Sequence, residues 1–386
     1  ALATVYYGGT QEDWDALKKN IGEGNTPLLN ANIICAIQES NGFAYTVTGD
    51  EATITGYTGS ARSLVIPSEL GGKPVTAIAD KAFEGYKNMV NIYIPKTIKT
   101  IGENAFREKI DEARFICYEG TENEWANIAI QKGNEGLDPE HADDVPWFRL
   151  YECNLSGDMV YQASDDAATL VRYFGADSKV DIPAELGGKP VTEIGDCAFA
   201  FCSSLTEVTI PEGVTSIGWG AFGYCSSLTE VNIPKSVETI GDEAFATCDS
   251  LTEVTIPEGV TSIGVYAFQF CNSLTEVTIS EGVTSIGDGA FESCSSLTEV
   301  TISEGVTSIG DSAFAFCSSL TEVTIPKSVT SIGYSAFRSC SSLTKATIPE
   351  GVTSIRGSVF EGCSSLREVT IPKSVTSIES HAFYNC

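Results

Sequence analysis

The chain reads as a repeat solenoid: a right-handed superhelix of short coils, mostly β with short 3-10 or α turns, whose repeat blocks are each introduced by a β-meander. Three observations predict it. Nine cysteines stand 23 residues apart, from Cys202 and Cys225 through Cys363 to Cys386. A phenylalanine precedes each of them by three positions, from Phe199 to Phe383. Between them the text hardly changes, as in the run 205–217, Leu-Thr-Glu-Val-Thr-Ile-Pro-Glu-Gly-Val-Thr-Ser-Ile. A fixed period of that length means stacked coils, each in contact only with its neighbours.

Each repeat divides into three parts. Leu-Thr-Glu-Val-Thr-Ile is β-branched and alternating, hence a strand, with Leu205, Val208 and Ile210 inward and Glu207 and Thr209 outward. Pro211 and Gly213 then turn the chain, and Val214 and Ile217 are expected inside. Gly-x-x-Ala-Phe-x-x-Cys sets Ala221, Phe222 and Cys225 inward at helical spacing, with room for one turn of α- or 3-10 helix. One coil cannot bury eight apolar side chains, whereas a stack of coils can.

Two earlier frames, Ala82-Phe83 and Ala105-Phe106, carry Tyr86 and Lys109 in the cysteine place. A lysine sits badly in a dry core, so the first array is expected to close near Lys109. The capping box Thr121-Glu-Asn-Glu124 then opens a helix holding Trp125 and Ile128, a cover for a sheet end. A longer duplication is visible too: Tyr7 to Trp14 matches Tyr118 to Trp125, and Ile66 to Val75 matches Ile182 to Val191. Ahead of the second motif lie short alternating strands with hairpin turns expected at Asn41-Gly42 and Ser156-Gly157. The expected organisation is therefore residues 1–29 as the tail of a preceding unit with a tryptophan helix. Residues 30–147 form a short unit with a capping helix, and 148–386 a long unit of about ten repeats. The chain starts and stops in mid-motif and reads as a piece of a longer protein.

Composition bounds the function. Hydrophobic residues make up 42% and charged residues 19%, the mixture of a folded chain. Net charge is −29, from 52 acidic and 23 basic residues, which excludes nucleic acid and an anionic membrane surface as expected partners. No run of eighteen apolar residues exists, so no membrane insertion is expected of this stretch. Thirteen cysteines would suggest disulfides in a short secreted chain. Here the nine in register would point inward in parallel, and are expected to be reduced and buried as small hydrophobes.

The frame L-x-x-V-x-I-P-x-x-V-x-x-I-G-x-x-A-F-x-x-C, with Gly-Thr-x-x-x-Trp after a block, resembles the leucine-rich repeats of the BspA-like (Treponema pallidum) class over nearly the whole chain. The meanders and tryptophan helices depart from that pattern. The resemblance implies a bacterial cell-surface or secreted protein that binds a host or bacterial surface protein as an adhesion module.

The outward strand positions are the candidate contact surface. One column comprises Glu207, Glu230, Glu253, Glu276, Glu299 and Glu322, then Lys345 and Glu368. Beside it stand Thr209, Asn232, Thr255, Thr278, Thr301 and Thr324. Stacked carboxylates about 4.8 Å apart could attract a basic partner or chelate a cation, or simply keep the face solvated. The last reading is preferred over a metal, and no cofactor is expected. A threonine ladder suits ice-binding solenoids, but glutamate alongside argues against it. Enzyme chemistry finds no support: His141 and His381 are isolated, no Cys-x-x-Cys exists, and Gly71-Gly72 and Gly187-Gly188 precede no helix. Trp14 and Trp125 read as packing residues more than as sugar platforms. Two alternatives to adhesion stay open, a passive spacer projecting another domain and a carbohydrate-binding protein using the meanders. A monomer is expected.

Overall fold

In the computed structural model the described residues are 4–7, 11–30, 32–35, 37–84, 86, 89–106, 114–134, 137 and 147–386. They form two compact units, 1–153 and 154–386. The expected boundary at 147/148 differs from this by one strand, because Trp147–Leu150 pairs in parallel with Arg114–Tyr118 of the first unit. Lys109 and His141 lie outside the described residues.

In the second unit each coil has three sides. The first carries the long strands, such as Glu207–Thr209 and Glu253–Ile256. The second carries two-residue strands, such as Ser216–Ile217 and Thr239–Ile240, paired in parallel with Ile217 opposite Ile240. The third is built from turns. The eight expected inward residues are in place: Leu205, Val208, Ile210, Val214, Ile217, Ala221, Phe222 and Cys225 are all buried. Phenylalanines form the spine of this core. Rings from Phe199 to Phe383 stack face to face, with centroids 5.0 Å apart at Phe199–Phe222 and 5.6 Å at Phe337–Phe360.

Proline tunes the long-strand side. The Ser280 and Ser303 amides donate to the carbonyls of Ile256 and Ile279, extending the strands to four residues, Glu253–Ile256, Glu276–Ile279 and Glu299–Ile302. Where the next coil has proline in this place, which has no amide hydrogen, the bond is missing. Strands with no such bond on either side stop at two or three residues, as at Glu322–Val323 ahead of Pro349, whereas Glu253–Ile256 keeps four because Ser280 follows it.

The third side turns by i→i−3 hydrogen bonds, Cys225 N–H to Phe222 O at 3.2 Å among them, yet it does not wind into a helix. Alternate amides leave the coil. Gly220, Phe222 and Tyr224 donate to Asp242, Ala244 and Ala246 of the next coil at 2.7–2.9 Å. To aim them so, residues 220 and 224 are left-handed, with φ of 55° and 61°, and a helix cannot pass through them. The pattern recurs at 243/247, 266/270, 289/293 and 312/316. Aspartates tie the coils once more. Asp196 and Asp288 accept the backbone amides of Trp219 and Asp311, 23 residues on, at 2.7 Å.

The meander closes the first edge of the stack. Asn154–Ser156, Met159–Ala163 and Ala168–Tyr173 run antiparallel, and the last pairs in parallel with Lys189–Ile194. Its two-residue hairpin is Gly157-Asp158, one position later than expected, with Gly157 at φ 57°. Buried Arg172 reaches from this meander to the turn side and donates to the carbonyls of Cys197 and Ala200. The Tyr173 amide donates to Ala198 at 2.8 Å. The donors to Ala198 and Ala200 stand where the amides of a preceding coil would be, as Phe199 and Phe201 donate to Ala221 and Gly223 of the next coil.

The first unit repeats the scheme. Gln38–Ser40, Phe43–Thr48 and Glu51–Tyr57 form its meander, with Asn41 and Gly42 both at positive φ in the expected hairpin. The capping box is formed: the Glu124 amide donates to Thr121 Oγ1 at 3.2 Å, and the Thr121 amide to Glu124 Oε2 at 2.8 Å. Only one helical turn follows, Glu122–Trp125, with Trp125 buried edge-on against Tyr118. Trp14 is buried likewise beside Tyr7.

Candidate functional site

Strand alternation places Glu207, Thr209, Glu230, Asn232, Glu253, Thr255, Glu276, Thr278, Glu299, Thr301, Glu322 and Thr324 on the outer surface of the long-strand side, while Val208, Val231, Val254, Val277, Val300 and Val323 point into the core. Registers put like beside like. Glu207 is opposite Glu230, Glu253 opposite Glu276, and Glu276 opposite Glu299. The threonine column follows the same registers, Thr255 with Thr278 and Thr278 with Thr301.

This face comprises three three-stranded sheets, interrupted after Glu230–Asn232 and after Glu299–Ile302. Both interruptions are depressed. One hollow of about 570 Å³ has Asn232, Pro234 and Glu253 on its walls. The other, of about 500 Å³, lies between Thr298–Ile302 and Thr321–Thr324. A third hollow of about 480 Å³ sits on the last sheet, floored by Ile325, Pro326, Ile348 and Pro349, with Lys345 and Glu322 at its rim. Sequence periodicity signals none of these hollows, and the first two arise where the pairing lapses.

The acidic column is closed by lysine at both ends. Lys179, opposite Glu207, bonds to it, and that carboxylate raises the Lys179 pKa. Lys345 lies 3.2 Å from Glu368. Between them Glu230, Glu253, Glu276, Glu299 and Glu322 make no ion pair among the described residues. Their threonine neighbours are equally free. By contrast, threonines at the strand entry are spent on structure: Thr275 and Thr298 hydroxyls donate to the carbonyls of Thr252 and Thr275, each at 3.0 Å. No three acidic, histidine or cysteine side chains among the described residues are arranged to hold a metal ion.

The cysteine column serves packing. Cys225, Cys248, Cys271, Cys294 and Cys317 are fully buried and free of disulfides, and each thiol donates to a phenylalanine carbonyl 26 residues earlier, at 3.1–3.3 Å. Burial pushes these thiols well up, Cys271 to about 12. Thiolate, the nucleophilic form, is thereby suppressed. The turn side shows what the strand-face reading overlooks: Phe201, Trp219, Tyr224, Tyr266, Phe270, Phe316 and Tyr334 are 37–48% exposed. Aromatic residues at positions that are small in other coils were the available signal.

Residues 57–119, 179–296 and 261–386 match the BspA type leucine rich repeat region, in six copies. No curated protein matches the chain. Among solved structures, the chain is similar to the Treponema pallidum leucine rich repeat protein, at 33% identity over 49% of this chain and 90% of that one, with a TM-score of 0.47. A leucine-rich repeat protein from Bacteroides ovatus is 24% identical over 90% of this chain and 92% of its own, with a TM-score of 0.50. A leucine rich cell surface protein from Faecalibacterium prausnitzii is 26% identical over 88% and 96%, with a TM-score of 0.40.

Proposed function

This chain belongs to the BspA-type leucine-rich-repeat family, and on that premise we propose that it is a bacterial cell-surface or secreted module that adheres to a basic protein through its long-strand side. The observation that carries this is the run of five glutamates, Glu230 to Glu322, exposed and without ion pairs beside an unpartnered threonine column. Carboxylates left unpaired on a rigid surface lose little on meeting cations, and complementary charge raises association rates. Repetition offers many similar weak contacts, so affinity rests on how many are made at once. The hollows at the sheet interruptions would seat apolar side chains of the same partner.

Surface plasmon resonance against immobilised host matrix proteins, at low and moderate salt, tests the reading. Binding that weakens as salt rises is expected. If every matrix protein fails to bind at low salt, the chain is a spacer and the adhesion reading is wrong.

A further inference from the structure

From a second surface, independent of the strand side, we infer that two copies of this chain associate antiparallel through an aromatic zipper on the turn side. One column of that side, one residue per coil, reads Phe201, Tyr224, Thr247, Phe270, then Ser293, Phe316, Ser339, Gly362, with Asn385 of the terminal coil beyond these eight. All eight have positive φ, from 58° at Ser339 to 75° at Gly362. A bulky residue is costly there and glycine is the natural occupant. The core makes no use of these four rings, which are 40–48% exposed. Within one chain their contacts are confined to the surface, the Phe201–Tyr224 stack and Arg338 beside Phe316, while Thr, Ser and Gly serve in the other places.

Spacing supplies the occupant. Phe201 and Tyr224, in consecutive coils, stack with centroids 4.7 Å apart and planes 11° from parallel, so one coil of rise equals one ring of stack. Tyr224, Phe270 and Phe316 stand two coils apart, leaving places one ring thick over Thr247 and Ser293. Read backwards, the column is its own complement. Phe201 meets Gly362, Tyr224 meets Ser339, Phe270 meets Ser293, and Phe316 meets Thr247. A two-fold axis across the column thus puts every ring of one copy opposite a small residue of the other. The interleaved order is Tyr224, Phe316 of the second copy, Phe270, then the same three rings in reverse with the copies exchanged.

A net charge of −29 opposes self-association, so the contact must be locally free of like charges. The neighbouring column satisfies this. Under the same axis Glu292 meets Gln269, Glu361 meets Ala200, and Arg338 meets Gly223. Arg338, with its guanidinium 5.9 Å from the Phe316 ring centre and 3.3 Å from Glu361, borders the last gap and would lie over the incoming Tyr224 ring.

Sedimentation equilibrium of the whole chain in reductant tests this. A dimer is expected, and it should tighten with salt as the general repulsion is screened, opposite to strand-side binding. Phe270→Ser removes a ring, and Ser293→Phe sets ring against ring. Each should weaken the dimer by about tenfold or more. The double variant F270S/S293F restores ring against serine across the axis and should recover the dimer. Circular dichroism checks folding, and serine already occupies this place in neighbouring coils. A wild-type monomer at every concentration overturns the inference. So does a dimer indifferent to Phe270→Ser, or a double variant that fails to recover.

Discussion

The Cys271 thiol donates a hydrogen bond to the carbonyl oxygen of Phe245 at 3.3 Å, across the coil boundary and inside the core. An ordinary cysteine thiol ionises near pH 8.5, whereas burial pushes Cys271 and Cys363 up to about 12. Below the unfolded value both states hold their protons and stability is complete. As pH rises past it, the unfolded chain releases protons that the folded chain retains, so stability falls until the folded thiols titrate. Each thiol contributes a loss of up to about 1.4 kcal/mol per pH unit in that window. Urea midpoints of the whole chain should drop between about pH 9 and 11. Cys271→Ala should flatten the drop measurably, and an unaltered slope would contradict the burial of the thiol.

Phe291 has no exposed surface, and its ring lies between Phe268 and Phe314 with both centroids at 5.3 Å. Phe291→Ala should cost about 3–5 kcal/mol through the cavity it leaves. Phe383 is half-buried and stacks on Phe360 alone at 5.5 Å. Its alanine variant should cost clearly less. Equal losses in chemical denaturation would contradict a nearest-neighbour stack.

Which parts of this were legible in the text of the chain follows from the range of the forces. Inward and outward places obey the local alternation of apolar and polar residues, so Val208, Phe222 and Glu207 could be placed from periodicity alone. The capping box at Thr121 was equally local. Backbone bonds between coils were not. The left-handed pair at 220 and 224 follows from amides directed 22 residues ahead, and only one of those two residues is glycine. Nothing near Arg172 in the sequence tells that it reaches Cys197 and Ala200. On the strand side the columns were readable, but two of the hollows depend on where pairing lapses between otherwise similar coils.

Arg172 yields a prediction of its own. Its guanidinium is buried and holds the Ala200 carbonyl, which no preceding coil serves, together with that of Cys197, which also accepts from the Ala200 amide. Arg172→Met keeps much of the volume and removes the donors, leaving the Ala200 carbonyl short of its partner. A loss of about 2–3 kcal/mol is expected, and it should appear as faster amide exchange in residues 189–202 while the coils around Phe291 stay protected. Exchange that accelerates equally along the whole unit would show that Arg172 does not act as a local cap.

Glu253, Glu276 and Glu299 lie in adjacent registers of one sheet, so replacing all three by lysine reverses the charge at the centre of the proposed contact surface. None of the three makes an ion pair in the folded chain, and the backbone bonds of their strands do not depend on their side chains. Thermal stability should therefore move little, by about 1 kcal/mol or less, with relief of the like-charge column favouring a small gain only if lysines are interspersed. Binding to a basic matrix protein should fall by at least about tenfold at low salt, and the difference from wild type should shrink as salt screens both. A single reversal, Glu276→Lys, should cost far less than a third of the triple effect on a logarithmic scale if the contacts act together through avidity. Wild-type binding that survives the triple change intact would move the contact surface off the long-strand side.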